Sequence, residues 1–283
     1  MIGLGARRGQ TLIFSAEGGG EGGSAEAALA VARMGVRTAC VVLDPAAIGR
    51  MSCNPSIGGI AKSHIVFEID SLGGEMARNT DYTGIQFRTL NTRKGPAVQA
   101  HRAQCDKNAY PARMQAIIAG TTGLDVAEAL VADILHTNGR VRGVRTVDGS
   151  EIRGQCVIIT AGTFLRGKIH IGDEAPPGGR IGEKAAYELS DSLDSLQFRL
   201  DRLKTGTPPR LHRESVDFSP MEPQPGLVPP PFFSRDAQRE WEMFHVEQGS
   251  TAAEVFYVDQ VDSDLRPWPV GSDQMPCYLT HTT

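Results

Sequence analysis

The sequence predicts an α/β protein whose first domain is a Rossmann-like nucleotide-binding fold, and three observations predict it. A glycine cluster, Gly18 to Gly23, stands between a short apolar run and an Ala-rich segment of helical character. A second apolar run, Val157 to Thr160, is followed by the small residues Ala161, Gly162 and Thr163. The chain of 283 residues is 40% hydrophobic and 22% charged, which suits a substantial core in one large or two modest domains.

Taken in order, Thr11 to Phe14 reads as a strand, Ser24 to Met34 as a helix and Thr38 to Leu43 as a second strand ending at the acid Asp44. This is a βαβ unit. Gly18, Gly20 and Gly23 satisfy G-x-G-x-x-G, and Gly19, Glu21 and Gly22 complete the loop. Glycines permit the tight turn and let backbone amides approach a pyrophosphate at a helix N-terminus. In a chain with 32 glycines the competing reading is a plain flexible loop. Further on, Arg140 to Val147 alternates, turns at Asp148-Gly149 and feeds the apolar run that ends at Thr160. The small residues after it let backbone approach a nucleotide at the strand's C-terminal end, or they form an ordinary turn.

The first domain is therefore expected over residues 1–199 and a partial second domain over 200–283. Pro220, Pro223, Pro225, Pro229, Pro230 and Pro231 open an acidic excursion at 219–273, which is expected to be poorly packed. Residues 216–283 hold eleven acids and three bases, leaving the preceding body positive although the whole chain carries −4. Within that body Arg88, Arg93, Lys94, Arg102, Lys107 and Arg113 face the single acid Asp106, a local excess that suits phosphates or forms a solvated face.

Five cysteines spread along the chain argue against a disulfide framework. Cys40 and Cys156 lie in apolar strand patterns and are expected to be core residues, while Cys105 falls in a polar stretch read as helical. Cys53 and Cys277 sit in Gly-, Pro- or Asn-bounded loops, where a thiol is accessible for reaction. No apolar run reaches the length of a membrane helix and Met1 to Gly9 lacks a secretory h-region, so a soluble cytoplasmic protein is expected. No metal-ligand spacing stands out.

Three segments then carry a resemblance: Met51-Ser52-Cys53-Asn54-Pro55-Ser56-Ile57-Gly58-Gly59-Ile60; Gly84 to Arg88 with Lys94-Gly95-Pro96-Ala97-Val98 and Arg102-Ala103-Gln104; and Gly162 to Gly172. Arg202 to Arg210 and Pro276 to Thr282 extend it. Together they resemble the N-terminal portion of the MnmG (GidA) family of tRNA-modifying flavoproteins. The resemblance implies a glutathione-reductase-like FAD-binding domain with an incomplete second, α+β insertion domain. It implies addition of a (carboxymethyl)aminomethyl group to C5 of the tRNA wobble uridine, with FAD as cofactor, NADH and methylene-tetrahydrofolate as co-substrates, the GTPase MnmE as partner and a homodimer.

By the same resemblance Cys53 and Cys277 are the two catalytic thiols, with their roles unassigned between them. The flavin loop maps to Gly18–Gly23, with further cofactor contacts at Val131 and Ala186, the last standing where the family commonly has serine; Gly162 and Thr163 join the cofactor candidates as the small residues that follow the second apolar run. Arg88, Lys94, Arg102, Lys204 and Arg210 suit tRNA phosphate, folate glutamate or flavin phosphate equally. Departures from the family pattern are Ser15-Ala16-Glu17 between strand and glycines, one extra residue before Glu26, Glu21 in place of histidine and a longer excursion at 219–273. The family's later segments, including those expected to contact NAD and the GTPase, are not in this sequence. Two rival readings are a catalytically inactive fragment that binds nucleotide or tRNA, and a folate-dependent flavoprotein tRNA uridine methyltransferase.

Overall fold

The computed structural model describes residues 12–16, 23–52, 54–183, 185–206, 211–247 and 274–279. Residues 1–52 carry β1 (Leu12–Ala16), α1 (Gly23–Arg33) and β2 (Thr38–Val42). Residues 53–113 carry β3 (Ser56–Gly58), α2 (Lys62–Ser71), α3 (Met76–Thr83), β4 (Gly84–Leu90), β5 (Ala100–Cys105) and the opening of α4 (Ala109–Ala119). Residues 114–205 complete α4 and add β6 (Leu124–Glu128), β7 (Val131–Thr137), β8 (Arg140–Thr146), β9 (Glu151–Arg153), β10 (Cys156–Ile159) and α5 (Glu188–Ser195). The last stretch holds β11 (Glu222–Gln224), α6 (Arg235–Glu247) and β12 (Cys277–Leu279).

These four stretches form two compact units, the first from residues 1–52 and 114–205, the second from 53–113 and 206–283. Where the sequence leads one to expect a single boundary at 199/200, residues 53–113 group with the C-terminal stretch.

The first unit is built on a four-stranded sheet in the order β10-β1-β2-β6, with every neighbouring pair parallel. Parallel neighbours need crossovers. α1 supplies one, between β1 and β2, burying Ala25, Ala28, Leu29 and Ala32 at helical spacing. Glu26 in its first turn and Arg33 in its last match the helix dipole. A three-stranded antiparallel sheet, β7-β8-β9, lies in the connection between β6 and β10. Its first hairpin turns on Asn138 (φ 53°) and Gly139 (φ 70°), the residue pair best suited to two left-handed positions in succession. The core gathers Val41, Val131, Ile134, Val144, Leu189 and Leu193, with Val157 and Ile159 against it.

β1 runs beyond the expected Phe14 to Ala16. Ser15 pairs with both Val41 and Ile159, so main-chain pairing on two sides carries the strand through a polar residue. Two of the residues that seemed to separate strand from glycines thus belong to the strand.

In the second unit β3-β5-β4 form an antiparallel sheet and β11 pairs with β12. The Pro-rich stretch expected to pack poorly is partly anchored. Phe233 is 1% exposed, with its ring 5.7 Å from Phe67 and 5.8 Å from His101. Asp81 of α3 accepts the backbone N–H groups of Phe233 (3.0 Å) and Ser234 (2.7 Å), and Asp70 of α2 accepts that of Arg235. Ser234 Oγ in turn accepts the N–H of Ala237, capping α6. Glu240 of α6 then pairs with Arg78 of α3 at 3.0 Å.

Candidate functional site

The first unit offers a carboxyl edge suited to a dinucleotide. β1 is followed through α1 by β2 on one side and is flanked on the other by β10, the arrangement at which open parallel sheets place ligands. The strand ends at Ala16 and the helix begins at Gly23; Gly18, Gly19, Gly20, Glu21 and Gly22 lie outside the described residues. Among the described residues no atom stands within 4 Å of where a Cβ on Gly23 would project, so none of them closes the helix start. Beyond β2, Asp44 accepts the N–H of Ala46 at 2.9 Å, and its other oxygen meets Arg50 at 3.5 Å.

At the end of β10, Gly162 is exposed and holds φ +60°, a backbone state that favours glycine. Thr163 Oγ1 donates to the carbonyl of Gly179 at 3.0 Å. Thr160 Oγ1 is buried and has no hydrogen-bond partner among the described residues. Val131 opens β7 in register with Thr146 and is 1% exposed. Ala186 is 2% exposed; its N–H donates to Phe164 O at 2.9 Å and its carbonyl accepts from Arg166 at 2.8 Å, so both backbone groups are engaged within the protein. Lys204 is exposed, and Arg210 lies outside the described residues.

The second unit presents a polar sheet face. Gln86 and Arg88 of β4 stand directly opposite Gln104 and Arg102 of β5, alternating with the core residues Phe87 and Ala103. Gln86 is 3% exposed and uses both ends of its amide: Nε2 donates to the Gln224 carbonyl at 2.8 Å, and Oε1 accepts from Cys277 Sγ at 2.9 Å. Gln224 and Cys277 are themselves cross-strand partners in the β11–β12 ribbon. One buried amide therefore ties both strands to β4. Arg88 donates to Pro225 O at 2.8 Å, while Arg102 brings a second guanidinium to the opposite register position. Like charges placed directly opposite cost stability, which an anion on this face would relieve. Lys94 is exposed in the loop after β4, where Asn91 Nδ2 bonds Val98 O at 3.0 Å.

The thiols sort by environment. Cys40 is buried in β2, and burial pushes its thiol up to about 11. Cys105 is not helical as expected but ends β5; burial pushes it up to about 12, so it is an unreactive core residue. Cys156 is only half-buried in β10. Cys277 is not an exposed loop thiol either: it is half-buried in β12 and donates its hydrogen to Gln86. Cys53 lies outside the described residues, and the described chain resumes at Asn54, just ahead of β3. Two groups escaped the sequence reading as site residues. Gln86 had one signal, a polar residue between apolar Ile85 and Phe87, whereas Thr160 read as part of an apolar run.

Among the described residues no group of three or more metal-ligating side chains converges, and no helix is long and apolar enough to cross a membrane. The sequence profile of the family described as glucose inhibited division protein A matches residues 17–255. The tRNA uridine 5-carboxymethylaminomethyl modification enzyme MnmG of Aquifex aeolicus is 47% identical over 266 residues, 94% of this chain and 39% of that protein. The enzyme of the same description from Geobacter sulfurreducens is 51% identical over 257 residues, 91% of this chain and 36% of its own. A crystal structure of Aquifex aeolicus GidA superposes with a TM-score of 0.77 at 43% identity, covering 96% of this chain and 40% of that one. The chain thus spans well under half the length of the relatives it matches.

Proposed function

The chain belongs to the glucose inhibited division protein A family, and from that premise we propose that it takes part in flavin-dependent modification of tRNA at C5 of the wobble uridine. The observation that carries the reading is the carboxyl edge of the parallel sheet. An open helix start at Gly23, the left-handed Gly162 and the unpaired buried hydroxyl of Thr160 lie along the elements that frame a dinucleotide crevice, and they fit FAD. When bound, FAD would accept hydride from NADH and supply two-electron chemistry at this edge, with methylene-tetrahydrofolate as the source of the one-carbon unit. Gly162 leaves the backbone uncovered for close approach, and Val131 supports the neighbouring sheet.

The polar face of the second unit suits the RNA. Arg88 and Arg102 are assigned to phosphate oxygens, with exposed Lys94 adding charge. C5 of uridine becomes nucleophilic once a thiolate adds at C6: the sulfur lone pair forms the S–C6 bond and the C5–C6 π pair moves onto the C4 carbonyl. C5 then attacks the iminium formed from the methylene carbon and an amine, whose C=N π pair moves onto nitrogen; loss of the C5 proton with departure of the thiolate from C6 restores the C5=C6 bond. Because the Cys277 hydrogen is held by Gln86, we assign Cys53 as the adding thiol and Cys277 as its support. Association with the GTPase MnmE, dimerisation and a cytoplasmic setting complete the proposal.

The first test is the visible absorption spectrum of the purified, desalted chain before and after added FAD. A retained flavin spectrum is expected. A colourless protein that ignores added FAD refutes the proposal.

A further inference from the structure

Two threonines stand at the carboxyl edge of β10, and their hydroxyls are treated differently. Thr163 Oγ1 is satisfied by the Gly179 carbonyl, whereas Thr160 Oγ1 is buried with no partner among the described residues. A buried hydroxyl that gives up water without a replacement bond costs free energy, and folded chains seldom leave one so. Its position supplies the reason. Thr160 directly follows Ile159, which lies in register with Ser15 near the end of β1, and it precedes Gly162 by two residues. Ser190 Oγ is also buried and unpaired, but it belongs to α5, which packs on β7 through Ser192 rather than on this edge. Among the described residues Thr160 is therefore the unpaired buried hydroxyl that directly follows β10 at the carboxyl end of the parallel sheet.

We infer that Thr160 is a dinucleotide-binding residue whose hydroxyl donates to an oxygen of the ribose–pyrophosphate portion. The inference rests on the flavin reading above and adds a side-chain contact beside the glycine-lined backbone.

Thr160→Val keeps the branched shape and removes the hydroxyl, while Thr160→Ser keeps the hydroxyl. FAD is titrated into each purified, desalted chain by flavin fluorescence, and thermal unfolding is followed without FAD. The expected result is a Kd for FAD raised about tenfold in Thr160→Val, little changed in Thr160→Ser, and no loss of FAD-free Tm in Thr160→Val. A parent-like Kd in Thr160→Val overturns the contact and leaves the flavin reading standing. A lowered FAD-free Tm in that variant also overturns it, because the hydroxyl would then serve a partner within the protein. A parent chain that binds no FAD overturns the flavin reading and the contact together.

Discussion

Replacing Gln86 by Met keeps the length of a side chain that is 3% exposed and removes both of its polar ends. The amide-to-carbonyl bond with Gln224, 2.8 Å long, contributes about 1 kcal/mol net, and leaving that half-buried carbonyl without a donor costs about 1–2 kcal/mol more. The thiol bond from Cys277 at 2.9 Å is weaker, below about 1 kcal/mol. The loss of stability is therefore about 2–4 kcal/mol, a fall in Tm of about 3–7 °C for a chain of 283 residues. Urea unfolding measures the loss, and peptide-resolved alkylation with iodoacetamide reads the thiol. Cys277 is expected to react faster in Gln86→Met than in the parent, since its hydrogen is no longer held. In the double variant with Cys277→Ala the two losses are expected to be less than additive, because they share one bond. A destabilisation under about 0.5 kcal/mol together with an unchanged alkylation rate refutes the argument that this amide ties the ribbon to β4.

Two further outcomes follow from the same unit. The His101 imidazole, edge-on to Phe67 and Phe233, is held below its usual 6.5 by burial. The unfolded chain thus takes up a proton that the folded imidazole resists, and stability is lost as pH falls from about 6.5 through the folded value. His101→Leu removes that loss. Asp81 acts in the opposite sense: burial raises its carboxyl well above the ordinary range, so its contribution to stability grows as pH falls. Subtracting parent from variant urea midpoints between about pH 5 and 8 isolates the histidine, and a difference flat with pH contradicts the reading. For Arg102→Ala, binding of an anticodon stem-loop is expected to weaken, with the log–log salt slope reduced by about 1, while stability holds or rises by a few tenths of a kcal/mol. An unchanged slope with reduced stability assigns Arg102 to an internal ion pair instead.

The parts of the fold legible in the sequence are those whose signals are local. The Ala-rich α1, the alternating β8 and the apolar β10 announce themselves through periodicity within a few residues. What escaped depends on partners far along the chain. Cys105 lies in the run His101-Arg102-Ala103-Gln104-Cys105, which has no strong hydrophobic pattern, and it becomes a buried strand end because β3 and β4 flank it. The proline-rich stretch looked loose because nothing near it shows that Asp81, about 150 positions earlier, accepts the amides of Phe233 and Ser234. Cys277 looked like an accessible loop thiol for the same reason: its strand partner Gln224 and its hydrogen-bond partner Gln86 are both remote. Glycine loops and thiol-bearing motifs are readable as types of residue, whereas whether a hydroxyl or a thiol is already spoken for is decided only by packing.

The β11–β12 ribbon also has a meaning in polymer terms. By joining Gln224 to Cys277 it turns everything between them into a single closed ring of chain. The entropy of closing such a ring grows only logarithmically with its contour, roughly 0.6 kcal/mol for each doubling. Insertions or deletions inside the ring but away from its anchors at Phe233, Ser234 and Glu240 are therefore thermodynamically cheap, and they leave the ends in register. The distance between the Cys277 thiol and Gln86 is insulated from such changes in length, so sequence away from the anchors can diverge without moving the thiol.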